Sequence, residues 1–157
     1  MLKHLSIKNY ALINELEIDF SRGFNIITGE TGAGKSILLG GLGLVLGKRA
    51  DLGQIKDKEK KCIVEALIGI KGFGLRQLFN QFDLDYEEEV IIRRELLASG
   101  KSRAFINDTP VTLETLNKVA SQLIDLHSQN QTAQLGDTNY LFSVIDSYAN
   151  NINYLED

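Results

Sequence analysis

The sequence lacks the features that mark disulfide-stabilised, membrane-spanning and strongly nucleic-acid-binding proteins. It has one cysteine among 157 residues, so no disulfide framework can form within the chain. It has no run of about 18 consecutive apolar residues and no apolar signal region at its start, so we expect neither a membrane span nor a leader. The net charge of −4 shows no basic excess, so DNA contact needs a local basic patch or a partner. We expect a soluble, cytoplasmic protein without membrane contact.

Several kinds of catalytic site are also missing from the sequence. It has no cluster of histidine and cysteine at metal-ligand spacing, and its spacings indicate no Ser-His-Asp arrangement. Cys62 lies in an apolar run, which predicts a buried thiol with no reactive role. His4 has no surrounding pattern that suggests a partner. With 43% hydrophobic and 24% charged residues, the chain has the composition of a folded domain.

The most informative segment that is present is a glycine-rich phosphate-binding loop, the P-loop or Walker A motif. It reads Gly29, Glu30, Thr31, Gly32, Ala33, Gly34, Lys35, Ser36. The apolar residues 24–28 before it predict a buried strand, and the apolar residues from Ile37 to Leu46 after it predict a helix. A strand, this loop and a helix in succession form the context in which the motif binds nucleotides.

Each residue type in the P-loop suits a triphosphate. Gly29, Gly32 and Gly34 have no Cβ, so the backbone can wrap around a phosphate and point successive N–H groups at it. Lys35 places an ammonium group against the β- and γ-phosphates, and the Ser36 hydroxyl can ligate Mg²⁺. We therefore expect residues 29–36 to bind ATP with Mg²⁺, with Lys35 as a catalytic residue and Ser36 as a metal ligand.

The remaining segments predict short strands and helices in a particular order. We expect a hairpin over the first 20 residues, strands at about 62–70, 90–96 and 103–106, a hairpin to Val111, helices at about 74–82 and after an N-cap at Thr112, a short buried strand at 123–127, and a last helix near Leu141 to Tyr148. A first strand pair, a P-loop unit, an antiparallel insertion and a return to a core strand is the order of half an ATP-binding-cassette (ABC) head. A kinase-like P-loop protein would instead alternate strand and helix.

Five segments together resemble the RecN family, bacterial coiled-coil repair ATPases related to the structural-maintenance-of-chromosomes (SMC) proteins. They are residues 7–13, residues 28–36, residues 44–51, residues 102–107 with 110–113, and residues 123–129. The P-loop alone is common to many NTPases, whereas these segments in this order are similar to RecN in particular. The resemblance implies an α/β P-loop NTPase of the ABC/SMC-head type. Such a head has a mixed sheet with an antiparallel β subdomain, and this chain resembles its amino-terminal half only.

The resemblance also implies the parts that surround this chain. In the family, the two ends of one polypeptide meet to form a head after a long coiled coil folds back on itself. Residues 1–150 are then the amino-terminal lobe, and residues 151–157 begin the connection to a missing coiled coil. The implied partners are the carboxyl-terminal half of the same head, a second head in an ATP-sandwiched homodimer, and DNA during double-strand break repair and recombination. The implied location is the cytoplasm, beside the nucleoid.

Gln129 is the second candidate catalytic residue. By resemblance it is the Q-loop glutamine, which reaches Mg²⁺ and the attacking water and senses the γ-phosphate. A neutral amide can ligate the metal and orient a water without adding charge beside a triphosphate. The family pattern has a glycine before this glutamine and a histidine and a glutamate after it, where this sequence has Ser128, Asn130 and Gln131.

Two motifs that hydrolysis requires do not follow Gln129. The sequence has no apolar run ending in Asp-Glu that could serve as a Walker B strand, and no signature of the Leu-Ser-Gly-Gly type. We expect ATP hydrolysis in a full-length protein and none by this chain alone. Three functions stay open: an ATPase half-site, an ATP-gated machine that tethers DNA, and a P-loop kinase. Another head of the SMC or RecF type is the alternative to RecN. Arg49 and Arg103 lie in family-like segments and could approach phosphate or DNA.

Overall fold

A six-stranded antiparallel sheet with two main helices against one face forms the body of the protein. The computed structural model describes residues 1–28 and 33–126, without the side chain of Ala33, and all of these except Leu126 lie in one compact unit, Met1–Asp125. In chain order the elements are β1 (Leu2–Tyr10), β2 (Ile13–Asp19), α1 (Ala33–Val45), a short 3-10 turn (Leu52–Gln54), β3 (Cys62–Gly69), α2 (Arg76–Gln81), β4 (Glu89–Leu96), β5 (Ser102–Ile106), β6 (Thr109–Val111) and α3 (Leu113–Ala120). The strand order is β2-β1-β3-β4-β5-β6, and every pairing is antiparallel.

Alternation along the central strands places one face of the sheet in the core. In β3 the residues Cys62, Val64, Ala66 and Ile68 are fully buried, while the residues between them are half-buried on the outer face. Successive side chains of a strand point to opposite faces, so this period-two pattern specifies which face packs inward. The Cys62 thiol is buried as expected, and this burial raises its pKa to about 11. It is therefore a packing residue rather than a nucleophile.

The helices cover the core face through short apolar stripes. Leu38, Leu44 and Val45 of α1 are buried. In α3, Leu116, Val119 and Ala120 are buried. In α3 these residues have the three- and four-residue spacing of one helical face, and in α1 Leu38 and Val45 lie two turns apart on the same side. None of the described helices is long and apolar enough to span a bilayer.

The predicted start of α3 is confirmed in detail. The Thr112 hydroxyl oxygen accepts a hydrogen bond from the Thr115 amide at 3.1 Å, which satisfies one of the unpaired donors of the first turn. Farther along, Lys118 forms a 2.9 Å ion pair with Glu114, one turn earlier. The order of the other predicted strands and helices between residues 1 and 122 is confirmed as well, except before the P-loop.

Two expectations near the end of the described region have different outcomes. The predicted strand at 123–127 is wrong for its described part, because residues 121–123 form a turn and residues 124–126 have no strand pairing. Leu123 is nevertheless buried, so the apolar run packs as an irregular segment. The predicted helix near Leu141 to Tyr148 and the histidine at position 127 lie outside the described residues.

His4, for which no sequence pattern suggests a partner, has two in the structure. Its Nδ1 lies 2.7 Å from Asp19 Oδ1, and its Nε2 lies 2.5 Å from Glu17 Oε2. The partners come from β2, whose register places Asp19 opposite His4. Only the protonated imidazolium can donate from both ring nitrogens, so these two bonds raise the pKa of His4. The bond to Asp19 has the larger effect, and the bond to Glu17 the smaller. The pKa of Glu17 is lowered mainly by its hydrogen bond with the Ser6 hydroxyl and, to a smaller extent, by its hydrogen bond with His4.

We expect this network to make the stability of the chain depend on pH. Because the pKa of His4 in the folded state lies above 6.5, its contribution is fully present below that pH and is lost as the pH rises through the raised pKa. Because the pKa of Glu17 is lowered below 4.5, its contribution is lost only at more acidic pH. Thermal unfolding of the parent and of His4→Gln should therefore differ most below pH 6.5, and the difference should shrink as the pH rises through the raised pKa of His4.

The matched control is Lys71→Gln, which removes an exposed base whose pKa Glu88 raises above its usual, already basic, value. It should leave the pH dependence between pH 6 and 8 close to that of the parent. A His4→Gln curve that runs parallel to the parent over this range would contradict the assignment.

Candidate nucleotide-binding site

The end of the P-loop forms the open first turn of α1. Gly34, Lys35 and Ser36 are all exposed, and a Cβ placed on Gly34 would meet no atom within 4 Å. The first amides of a helix have no partner within the helix, and together they carry a partial positive charge of roughly half a unit. An ammonium group, a hydroxyl and free amide donors thus occur together on an accessible surface. This is the donor set that a phosphate with its magnesium ion requires.

Two glycines fix α1 closely against β1. A Cβ placed on Gly41 would lie 2.7 Å from Ile7 Cδ1, and one placed on Gly40 would lie 2.7 Å from the Tyr10 hydroxyl oxygen. Both distances are shorter than normal contacts, so a larger residue would require the Ile7 or Tyr10 side chain, or the helix itself, to shift. Burial of Tyr10 beneath this helix raises the pKa of its hydroxyl. The sheet therefore sets the position of the helix whose first turn carries Lys35.

We expect Gly41→Leu to reduce both stability and nucleotide binding. The added side chain would overlap buried Ile7, and overpacking of this kind costs about 1–3 kcal/mol. Thermal or chemical unfolding measures the first effect, and titration with a fluorescent ATP analogue measures the second. As a control, Leu39→Phe adds bulk at a position of α1 that is 43% exposed and should change stability by less than about 0.5 kcal/mol. Equal behaviour of the two variants would contradict the close packing of α1.

The predicted buried strand before the P-loop is wrong for this chain. Residues 24–28 form no strand, and Phe24 and Ile26 are 88% and 71% exposed. The preceding turn is well defined, because the Asn25 side chain accepts a bond from the Ser21 amide and donates one to the Ser21 carbonyl. The segment has the apolar character of a buried strand, but no described strand pairs with it. Strand formation requires a partner backbone, which propensity alone cannot supply.

The other candidate residues have different positions. Gly29, Glu30, Thr31, Gly32 and Gln129 lie outside the described residues. Arg49 and Arg103 are described and exposed, Arg49 after α1 and Arg103 on β5. No group of three or more His, Cys, Asp or Glu is arranged to hold a metal in the part of the chain that the structure describes. Of the two residues predicted to ligate magnesium, Ser36 is described and exposed, and Gln129 lies outside the described residues.

The structure buries one charged residue that the sequence pattern did not predict. Arg94 lies on the core face of β4 between Ile92 and Leu96 and is only 2% exposed, although its neighbours on that face are apolar. Its Nε has no hydrogen-bond partner within the described region, and burial lowers its pKa. Two consecutive arginines mark strand β4, and alternation alone places one of them inward. Arg93, on the outer face, instead lies over the Phe105 ring at 4.5 Å.

Comparison with known proteins places this geometry in a family. A family model described as an AAA domain matches residues 4–154. The chain belongs to the AAA-domain family. The DNA repair protein RecN of Vibrio cholerae serotype O1 is 39% identical over 157 residues, which cover 99% of this chain and 28% of that protein. RecN of Bacillus subtilis is 34% identical over 151 residues, 95% of this chain and 26% of that protein. The resemblance to RecN is confirmed, and the AAA-domain chain spans about a quarter of the length of these relatives.

Solved structures confirm the predicted fold class. A structure from work on ATP-driven dimerization and DNA-stimulated activation of SMC ATPases has a TM-score of 0.66 at 21% identity, covering 92% of this chain and 97% of that one. The SMC head domain from Thermotoga maritima has a TM-score of 0.55 at 22% identity, covering 75% of this chain and 41% of that one. The fold is therefore that of an SMC-type ATPase head, and an AAA/SMC ATPase implies nucleotide binding.

Proposed function

We propose that this AAA-domain chain is the ATP-binding amino-terminal lobe of an SMC-like ATPase head that acts in DNA double-strand break repair and recombination. In this proposal, residues 1–150 form the lobe, residues 151–157 begin the connection to a coiled coil, and the protein works in the cytoplasm beside the nucleoid. RecN relatives at 34–39% identity support the repair role. The observation that carries the nucleotide-binding role is the exposed first turn of α1, where Lys35 and Ser36 stand on a helix fixed by Gly41.

The residues of the chain have separate roles in this function. The amides and glycines of residues 29–36 hold the phosphates, and the Lys35 ammonium lies against the β- and γ-phosphates, where negative charge is greatest. The Ser36 hydroxyl would hold Mg²⁺, which would supply charge neutralisation to the triphosphate. Gln129 provides the amide that orients the attacking water and reports whether the γ-phosphate is present. In this division of roles, Lys35 acts directly on the reacting phosphate.

The missing partner is the carboxyl-terminal half of the same head. Residues 24–28 expose apolar side chains and lack strand pairing within the described region, which supports an added strand from another part of the polypeptide. That half also has to supply the Walker B and signature motifs, which this sequence lacks. A signature facing the nucleotide from a second head would make ATP the link between two heads. On this view, hydrolysis releases the heads and ATP binding controls how DNA is tethered.

We expect Lys35→Ala to abolish ATP-dependent activity of the full-length protein. One charge-assisted hydrogen bond is worth roughly 1.5–3 kcal/mol, so ATP affinity should fall about 10- to 150-fold for each bond lost. Phosphate release, measured with DNA and without any added acceptor, should fall to background. The control is Lys71→Ala, which removes an exposed lysine whose partner is Glu88 at 2.8 Å and should leave turnover unchanged.

Two results would contradict the proposal. Turnover that persists in Lys35→Ala would exclude the P-loop as the site of hydrolysis. Phosphate transfer that requires a small-molecule acceptor would favour the kinase alternative.

A further inference from the structure

Basic residues are concentrated in one connection of an otherwise acidic chain. Residues 48–61, between α1 and β3, contain six basic and three acidic side chains, whereas the whole chain has a net charge of −4. Four of the basic residues are lysines within residues 56–61, which we term the lysine loop. Lys56, Lys58, Lys60 and Lys61 are all exposed. The rest of the protein is therefore more acidic than its net charge suggests, and this loop stands out against it.

A buried asparagine fixes the shape of the lysine loop. Asn9, at the end of β1, is 8% exposed and has a positive φ of 57°, a conformation that asparagine tolerates better than most residues. Its side-chain amide donates to the carbonyl oxygens of Asp57 at 2.9 Å, Lys60 at 3.1 Å and Lys61 at 3.3 Å, and its side-chain oxygen accepts from the Asp57 amide at 2.7 Å. Four bonds from one buried side chain hold the loop in a single conformation. The lysines therefore project from a fixed backbone.

Neighbouring turns pack against the loop at the same end of the sheet, where β1 ends, β3 begins and β4 turns into β5. The Ala11 amide donates to the Gln54 carbonyl oxygen at 2.6 Å. A Cβ placed on Gly100 would lie 3.8 Å from Leu52 Cδ1, so the β4–β5 turn with exposed Lys101 packs beside the same connection. An open cleft of about 680 Å³ is lined here by Asn9, Asn14, Lys56, Asp57, Lys58 and Lys60. This end of the sheet thus combines an open cleft, asparagine side chains and several lysine ammonium groups.

Lys56, Lys58 and Lys60 have weaker carboxylate partners than several lysines elsewhere in the described region. The Lys56 ammonium donates to the Leu12 carbonyl oxygen at 3.3 Å, and the Lys58 ammonium donates to the Leu52 carbonyl oxygen at 2.8 Å. Carbonyl partners orient an ammonium group without cancelling its charge. Lys60 has a carboxylate partner, Asp57, but at 3.3 Å and largely exposed to solvent.

Elsewhere, lysines have closer carboxylates. Lys8 on β1 lies 2.7 Å from Glu15, and Lys71 lies 2.8 Å from Glu88. Within the loop itself, Lys61 is paired with Glu95 at 3.0 Å. The positive field is thus centred on Lys56, Lys58 and Lys60.

We propose that the lysine loop binds the phosphate backbone of duplex DNA without reading its sequence. The inference rests on the proposed function, which brings DNA to this head, and it identifies the surface that DNA contacts. Lysine and asparagine side chains are phosphate-binding groups, and positive charge on a fixed loop favours a polyanion. The lysine loop lies between α1 and β3 and contains none of the P-loop residues, so its charges can be removed without changing the nucleotide-binding residues.

The test compares two triple variants of the full-length protein. Lys56→Gln/Lys58→Gln/Lys60→Gln removes the centre of the loop. Lys3→Gln/Lys71→Gln/Lys118→Gln removes the same charge from lysines paired with Glu89, Glu88 and Glu114 elsewhere. Binding to a labelled duplex oligonucleotide is measured by anisotropy between 50 and 200 mM salt. The loop variant should reduce the slope of log K against log [salt] by about 2.7, or about 0.9 for each lost contact, and weaken binding at least about tenfold at 100 mM salt.

The control variant should retain the parental slope, and both variants should retain DNA-independent ATP hydrolysis. A loop variant with the parental slope and affinity would overturn the proposal and leave the loop for another partner, such as an acidic protein. Equal losses in both variants would also overturn it, because net charge rather than this surface would then govern binding. Loss of ATPase activity in Lys35→Ala is independent of these outcomes, so failure of this inference and failure of the proposed function are distinguishable.

Discussion

The structure depends on one constraint: a β-strand forms only where a neighbouring backbone can pair with it. In the part of the chain that the structure describes, six strands meet this condition and residues 24–28 do not. Strands β1 to β6 pair with one another throughout. Residues 24–28, which lead directly into the P-loop, do not, and their apolar side chains are exposed. An apolar, unpaired segment of this kind is stable in a protein only when another backbone covers it. Among the described residues, the P-loop is therefore followed by a packed helix and preceded by a segment without strand pairing.

The complete side of the site is the packing of α1 on the sheet. Gly40 and Gly41 let the helix approach β1, and Leu44 and Val45 continue the contact into the core. The lysine loop, which Asn9 holds in place, lies in the connection between α1 and β3. One helix therefore separates two surfaces of different chemistry. Its first turn suits a nucleotide, and the loop that follows its last turn suits a polyanion.

Local patterns predicted most of the fold. The alternation of β3 identified both the strand and its buried face, and Thr112 identified the start of α3, because these signals depend on residues close together in sequence. Two sets of hydrogen bonds were not predictable in this way: those between His4 and Asp19, and those between Asn9 and residues 57–61. They depend on register and on contacts about 15 and 50 positions apart. Residues 24–28 show the converse case, since their strand propensity is clear but its expression requires a backbone from elsewhere.

Hydrogen exchange of the amides in residues 24–28 tests whether this segment needs a pairing strand from outside the chain. The amides are compared in this 157-residue chain alone and in a full-length protein of the length of its RecN relatives. The account predicts rapid exchange in the chain alone and strong protection in the full-length protein, where a neighbouring strand accepts these hydrogen bonds. Slow exchange of the same amides in the isolated chain would show that the segment needs no added strand, and would contradict the account.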